Sequence, residues 1–230
     1  MKKVLDKEIS TPWGKIIPDV QVFPLIYLVF IYGFIYIVPF GRDIIGMSWF
    51  DWLRTEDGPL EWLQFIGFLS TSLCSTVILW KQRNKFLSKY WISWFILAFV
   101  TFIIAGEEIS WGERITGFGI DYIRSINIQG ESNLHNISFF HHKLLDPAFE
   151  ISCILLGWIG WRRWPNIEAL PDKKYCLYFL LVALFYFYFD ISYASTIKQI
   201  RNDQEIFEFL MSTGLFLHAY EKMITISRFR

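Results

Sequence analysis

The chain carries no excess of either charge: its 230 residues hold 22 Lys and Arg against 22 Asp and Glu, a formal net charge of zero. Without a basic excess or a long basic run, nucleic acid is excluded as the expected partner. Cysteine is scarce. Cys74, Cys153 and Cys176 all fall inside apolar runs and at no metal-binding spacing, so they read as buried free thiols and not as a disulfide framework. There is no HExxH, GxSxG, phosphate-binding glycine loop or CxxCH, which removes the common zinc-protease, serine-hydrolase, nucleotide and c-type haem readings. No fixed-period repeat, low-complexity stretch or Pro/Gly-rich linker breaks the chain, so residues 1–230 read as one domain. No small-residue cleavage site follows the first apolar run, which is therefore expected to stay in the mature protein.

Apolar residues are abundant. They make up 53% of the chain, with 20% aromatic, too much for a soluble domain of this length and typical of one solvated by lipid. Crossing a hydrocarbon core about 30 Å thick takes roughly 17 to 25 apolar residues in a helix. Candidate runs lie at 22–40, 62–80 and 90–106, followed by 148–161, 175–190 and 206–221; the fourth is short and borders the aromatic belt Trp158–Trp164. Basic residues collect in every second connecting segment: Lys2, Lys3, Lys7 and Lys15; Lys81, Arg83, Lys85 and Lys89; Arg162, Arg163, Lys173 and Lys174; Lys222, Arg228 and Arg230. Lys and Arg favour the cytoplasmic side. The expectation is an all-α integral membrane protein, a multi-pass six-transmembrane-helix bundle with both termini cytoplasmic. A short interfacial helix is expected over Met47–Leu53, and the long segment 107–147 is expected to form an extracytoplasmic cap loop with its polar groups satisfied internally or by water.

This topology gathers carboxylates into one layer at the outer edge: Glu61, Glu107, Glu108, Glu150, Asp190, Glu205 and Glu208. Spans two, four and six begin there, and the helix dipole stabilises Glu61, Glu150 and Glu205 as first-turn acids. Spans three and five end there, so the dipole opposes Glu107, Glu108 and Asp190. A carboxylate at the membrane centre costs roughly 2.5 to 3.5 kcal/mol, which makes a partner necessary: a cation, a proton, a metal or a basic side chain. If the helix continues past Glu108, Glu107, Ser110, Trp111 and Arg114 share one stripe, with Arg114 able to pair with Glu107. Glu108 then points about 100° away, towards a bundle interior that also holds Glu61 and Gln64.

Histidine is rare, with four in the chain. His135 lies in an amide-rich run, Asn127-Ile128-Gln129-Gly130-Glu131-Ser132-Asn133-Leu134-His135-Asn136, and is the candidate acid/base or ligand. His141 and His142 read as solvated or capping residues ahead of span four. His218, near the opposite end, reads as a structural histidine held by Glu221 at i+3.

Glu107-Glu108 followed by an arginine resembles the glutamate pair and arginine of the CPBP (CAAX-prenyl-endopeptidase-like) membrane proteases. Their spacing is EExxxR, whereas here Gly112 stands at the arginine position and Arg114 two places later. Ser110, Asp190 and His135 are similar, in composition alone, to the serine, aspartate and histidines around zinc in alkaline-ceramidase-like membrane hydrolases. Neither resemblance assigns a family.

The leading expectation is a metal-dependent hydrolase or transferase acting on a lipid or lipid-linked substrate. Glu107, Glu108, Asp190 and His135 would hold a divalent ion such as zinc. Glu61, Glu108 and His135 form the catalytic set, with Glu61 as general base to a metal-bound water. The alternatives are a cation or proton transporter or channel using the same carboxylates, and a non-catalytic membrane subunit of a larger complex. Absence of inverted repeats and of glycine-interrupted spans weighs against transport. Membrane lipids are the expected surroundings, with a protein partner or homo-oligomer left open.

Overall fold

In a computed structural model the described residues are mostly helical, with one short hairpin in which β1 (Ile9–Thr11) pairs antiparallel with β2 (Gly14–Ile16). The structure describes residues 9–11, 14–16, 18–37, 58–127, 130–134, 137, 146–192 and 203–228. Within these, side chains are described except at 9–11, 14–16, 18–19, 34–37, 114, 146, 189–192 and 228. The interfacial helix expected over Met47–Leu53, the three histidines His135, His141 and His142, and the side chains of Arg114 and Asp190 lie outside the described residues.

Helix α1 (Pro18–Leu28) runs on as a wider π-type helix over Val29–Ile37. Helix α2 (Pro59–Lys81) opens with proline at its first position, where the missing N–H has no helical partner to lose. Helix α3 (Lys89–Glu108) is capped by Ser88, whose hydroxyl oxygen accepts from the Trp91 amide at 3.2 Å. Two short helices follow, α4 (Glu113–Thr116) and α5 (Asp121–Ile126). Helix α6 (Asp146–Ile154) continues through a π-type turn at Leu155–Ile159 into Gly160–Arg163. The last two are α7 (Leu177–Ser192) and α8 (Gln204–Arg228). All six apolar runs are therefore helical in their described parts.

Among the described residues, two helices, α2 and α3, are long and apolar enough to cross a membrane. Six crossings are not seen on this criterion, for physical reasons. The apolar stretches of α1 and α7 are shorter, Val20–Gly33 and Leu177–Tyr188. Helix α6 is interrupted by its wide turn, and α8 carries Glu205, Glu208, Ser212, His218, Glu221 and Lys222.

Helix α2 sits centrally, packed on α3 and α8, while α7 bridges α8 and α6. Close approach between α2 and α8 depends on Gly67, where an added Cβ would lie 3.0 Å from the Ser212 Cβ. Gln64 meets Glu205 at one end of this pair and Lys81 meets Ser227 at the other, so α2 and α8 run in the same direction. Ser72 Oγ donates to the Ala98 carbonyl of α3 at 2.8 Å and Gln82 to Tyr90 Oη at 3.0 Å, while Tyr186 of α7 and Tyr175 in the turn just before it reach Glu208 and Glu221 respectively; α3 and α7 run oppositely. The main core joins Phe68, Phe179, Val182, Ile206 and Leu210, each 1% exposed or less. Outward faces are apolar instead of polar, with Ile66, Leu73, Phe95, Phe99, Ile151 and Leu184 all about half exposed or more, the reverse of a soluble bundle.

The bundle thus has an acidic end, holding Glu61, Glu108, Glu205 and Glu208, and a basic end. At the basic end Arg162 lies over the Trp158 ring at 3.6 Å and Trp161 at 4.6 Å, and Lys85 lies over Tyr90 at 4.8 Å. Cations seated on aromatic rings, with their stems along apolar surface, suit a lipid headgroup boundary.

Candidate functional site

Four carboxylates and one amide meet at the acidic end. Glu61 and Gln64, one turn apart on α2, are 5% and 0% exposed. The Gln64 amide nitrogen donates to the Glu205 carboxylate Oε2 at 2.7 Å and to the Glu205 carbonyl at 3.1 Å. Both partners are acceptors, which fixes the amide orientation: Nε2 faces Glu205 and Oε1 is the opposite atom. That Oε1 is buried with no hydrogen-bond partner. A buried carbonyl oxygen without a donor costs about 1–3 kcal/mol.

Glu205 feels Glu208 on its own helix, Glu108 from α3 and Glu61 from α2. It lies just ahead of the apolar stretch 206–221. Burial first, and then these like charges, push its carboxyl well above the ordinary carboxylate range, with the Gln64 hydrogen bond pulling the other way. From α7, Tyr186 donates its hydroxyl to Glu208 Oε1, and Phe149 of α6 packs on the Tyr186 ring with centroids 4.9 Å apart. Tyr27 of α1 donates to the Ile206 carbonyl at 3.2 Å. Six helices therefore contribute to the surroundings of this cluster.

Beside it, the chain leaving α3 does not continue as a helix. Ser110, Trp111 and Gly112 take left-handed φ values of 48°, 55° and 87° in succession, two of them at non-glycine residues and therefore strained. The reversal folds the Trp111 indole back onto Gly106, where an added Cβ would come within 2.8 Å of the ring. Glu107 ties the reversal down: Oε1 accepts from Trp111 Nε1 at 2.5 Å and Oε2 from the Leu134 amide at 2.6 Å. The expected single stripe through Arg114 is thereby broken.

A polar nucleus forms under this turn. Ser110 Oγ, 1% exposed, donates to Glu131 Oε2 at 2.6 Å; Asn133 Nδ2 donates to the same oxygen at 2.8 Å and to Ser110 Oγ at 3.0 Å. Asn127 Nδ2 donates to the Asn133 carbonyl at 2.8 Å and side-chain oxygen at 2.7 Å. Glu113 accepts from the Ser132 amide at 2.6 Å and from Arg124. Burial acts to raise the Glu113 carboxyl, but the Ser132 and Arg124 contacts outweigh it and hold the group below its ordinary range. Gly119 fits between Ser132, Glu113 and Arg124, where a Cβ would stand 2.5 Å from Glu113 Oε2.

The structure thus divides the adjacent glutamates: Glu107 organises the chain after α3, and Glu108 faces Glu205. Glu61 joins Glu108 in the buried cluster. Sequence reasoning missed Gln64 and Glu205 as a pair, 141 residues apart, because Glu205 alone looks like a first-turn acid. His218 also has a different partner from the one expected: its Nε2 lies 3.0 Å from the Glu168 carbonyl, while Glu221 is held by Lys174 and by Tyr175 Oη at 2.9 Å. Among the described residues no group of three or more His, Cys, Asp or Glu is arranged to hold a metal ion. The chain matches no protein-family model, no curated protein and no solved structure.

Proposed function

We propose that the protein is a six-span membrane protein that takes up and releases protons at the Glu61–Glu108–Glu205–Glu208 cluster, as the proton-binding site of a proton transporter or channel. The observation that carries this reading is the buried, partnerless Gln64 Oε1. A carboxylate cannot donate to it; a protonated carboxyl can. Glu208, Glu108 and Glu61 all repel a charge on Glu205, and a proton shared within the cluster relieves that repulsion. The basic end, with its cation-aromatic belt, is the cytoplasmic one, and both termini lie there. The test is full-length protein in lipid vesicles with a trapped pH dye. An imposed pH gradient should collapse in wild type and persist in Glu205→Gln; wild-type vesicles as tight as protein-free ones would refute the reading.

A second reading, a metal-dependent hydrolase or transferase on a lipid-linked substrate, is supported by one observation. The Leu134 amide sits on Glu107, so the chain is anchored at the paired glutamates one residue before His135. In that reading Glu107, Glu108, Asp190 and His135 hold the ion and Glu61 serves as base. Metal analysis of purified wild type against His135→Ala tests it, and equal, substoichiometric metal in both would remove it.

A further inference from the structure

Buried hydroxyls on α2, α3 and α8 form a polar seam leading away from the carboxylate cluster. Most are satisfied locally: Thr71 donates to the Gly67 carbonyl at 2.8 Å, Thr101 to Leu97 at 2.7 Å and Ser212 to Phe209 at 3.0 Å. Towards the basic end the pattern changes. His218 is 0% exposed, with its ring stacked on Trp94 at 6.0 Å and meeting Tyr175 edge-on at 5.7 Å. A carbonyl only accepts, so the 3.0 Å contact with the Glu168 carbonyl puts the proton on Nε2. The neutral imidazole then presents Nδ1 as a bare lone pair, and Nδ1 is buried without a partner.

Ser75 Oγ on α2 is also 0% exposed and unpartnered. The Ser72–Ala98 hydrogen bond sets the register of the antiparallel α2 and α3. One turn onward along each places Ser75 level with Trp94, and hence with His218. Three unsatisfied polar atoms, Ser75 Oγ, Trp94 Nε1 and His218 Nδ1, therefore occupy one layer on three packed helices. Glu205 lies 13 residues earlier on α8, about 20 Å along the axis.

We infer that His218 is the proton-exchanging group at the basic end of the same seam, accepting a proton at Nδ1 and releasing it to water at the basic surface. The inference rests on the proton reading of the carboxylate cluster. In each cycle the imidazole gains one proton to become imidazolium and loses one, with no other bond made or broken. The groups around it come from every packed element: Ser75 and Gln82 on α2, Tyr90 and Trp94 on α3, Glu168, Asp172, Lys174 and Tyr175 between α6 and α7, and Glu221 and Lys222 on α8. Asp172 and Glu221 are already paired with Lys222, at 3.0 Å, and Lys174. With Glu168 as a third carboxylate beside these two pairs, an imidazolium would bring the charges of the layer into balance.

The vesicle assay on wild type, His218→Gln and Ser75→Ala tests this, with infrared titration of the carboxyl groups alongside. His218→Gln should slow proton flux by roughly a hundredfold, the scale of a lost acid-base group, while its carboxylate cluster still titrates as in wild type. Wild-type flux in a monodisperse His218→Gln protein overturns the inference and leaves the cluster reading standing. Absence of flux in wild type overturns both. If His218→Gln aggregates, Ser75→Ala decides: slowed flux supports the relay, and unchanged flux overturns it.

Discussion

Replacing Glu107 by Gln tests whether this residue holds the reversal after α3 together. Its two carboxylate oxygens each accept one N–H, from Trp111 Nε1 at 2.5 Å and from the Leu134 amide at 2.6 Å. Glutamine offers one oxygen and one NH2, so one of the two donors must face another donor. Hydrogen bonds to a charged group contribute about 1.5–3 kcal/mol. Losing one should therefore raise local opening of the segment by roughly 10-fold to 150-fold. Hydrogen exchange of peptides covering residues 130–134, in detergent or nanodiscs, reads this directly. The α2–α3 core should exchange as before, because Glu107 does not hold it. Unchanged protection of the Leu134 amide would refute the argument.

Gly106→Ala should also loosen this segment: the new methyl meets the Trp111 ring at 2.8 Å, an overpacking cost of about 1–3 kcal/mol against a helix-propensity gain of at most about 1 kcal/mol. Trp111 fluorescence, isolated by replacing nearby tryptophans, should shift red in response; an unshifted spectrum contradicts the packing. The Glu113 carboxyl is depressed in the folded state, so its contribution is fully present above the unfolded value near 4.3. That contribution is lost as pH falls through the folded value, and exchange at the Ser132 amide should rise there; Arg124→Gln should move the loss to higher pH. A flat pH profile in both proteins counts against the Glu113 clamp. For orientation, Ser132→Cys should be labelled from outside intact cells and Lys85→Cys should not; the opposite pattern inverts the proposed topology.

Much of this was legible in the sequence because hydrophobic periodicity and charge placement act locally. The six apolar runs are helical in their described parts, Glu61 and Gln64 lie together on the inward face of α2, and basic residues collect at one end. What could not be read depends on contacts between distant segments. The break after Glu108 requires Trp111 to fold onto Gly106 and Leu134 to reach Glu107, and no propensity of Ser110 or Trp111 favours their left-handed backbone. His218 has an acid at i+3, the usual helical partner, but burial turns its ring towards a carbonyl 50 residues away. The Gln64–Glu205 pair exists only through the parallel packing of α2 and α8.

The most direct measurement of the central proposal is infrared difference spectroscopy of the wild-type protein and Glu205→Gln, titrated between about pH 4 and 8, a range that includes the ordinary carboxylate value near 4.3. The account predicts that wild type keeps a protonated-carboxyl C=O band at neutral pH, and that this band is reduced or shifted in Glu205→Gln. A wild-type protein whose carboxyl groups are all ionised by about pH 6, with Glu205→Gln differing only by one ordinary carboxylate, would contradict it.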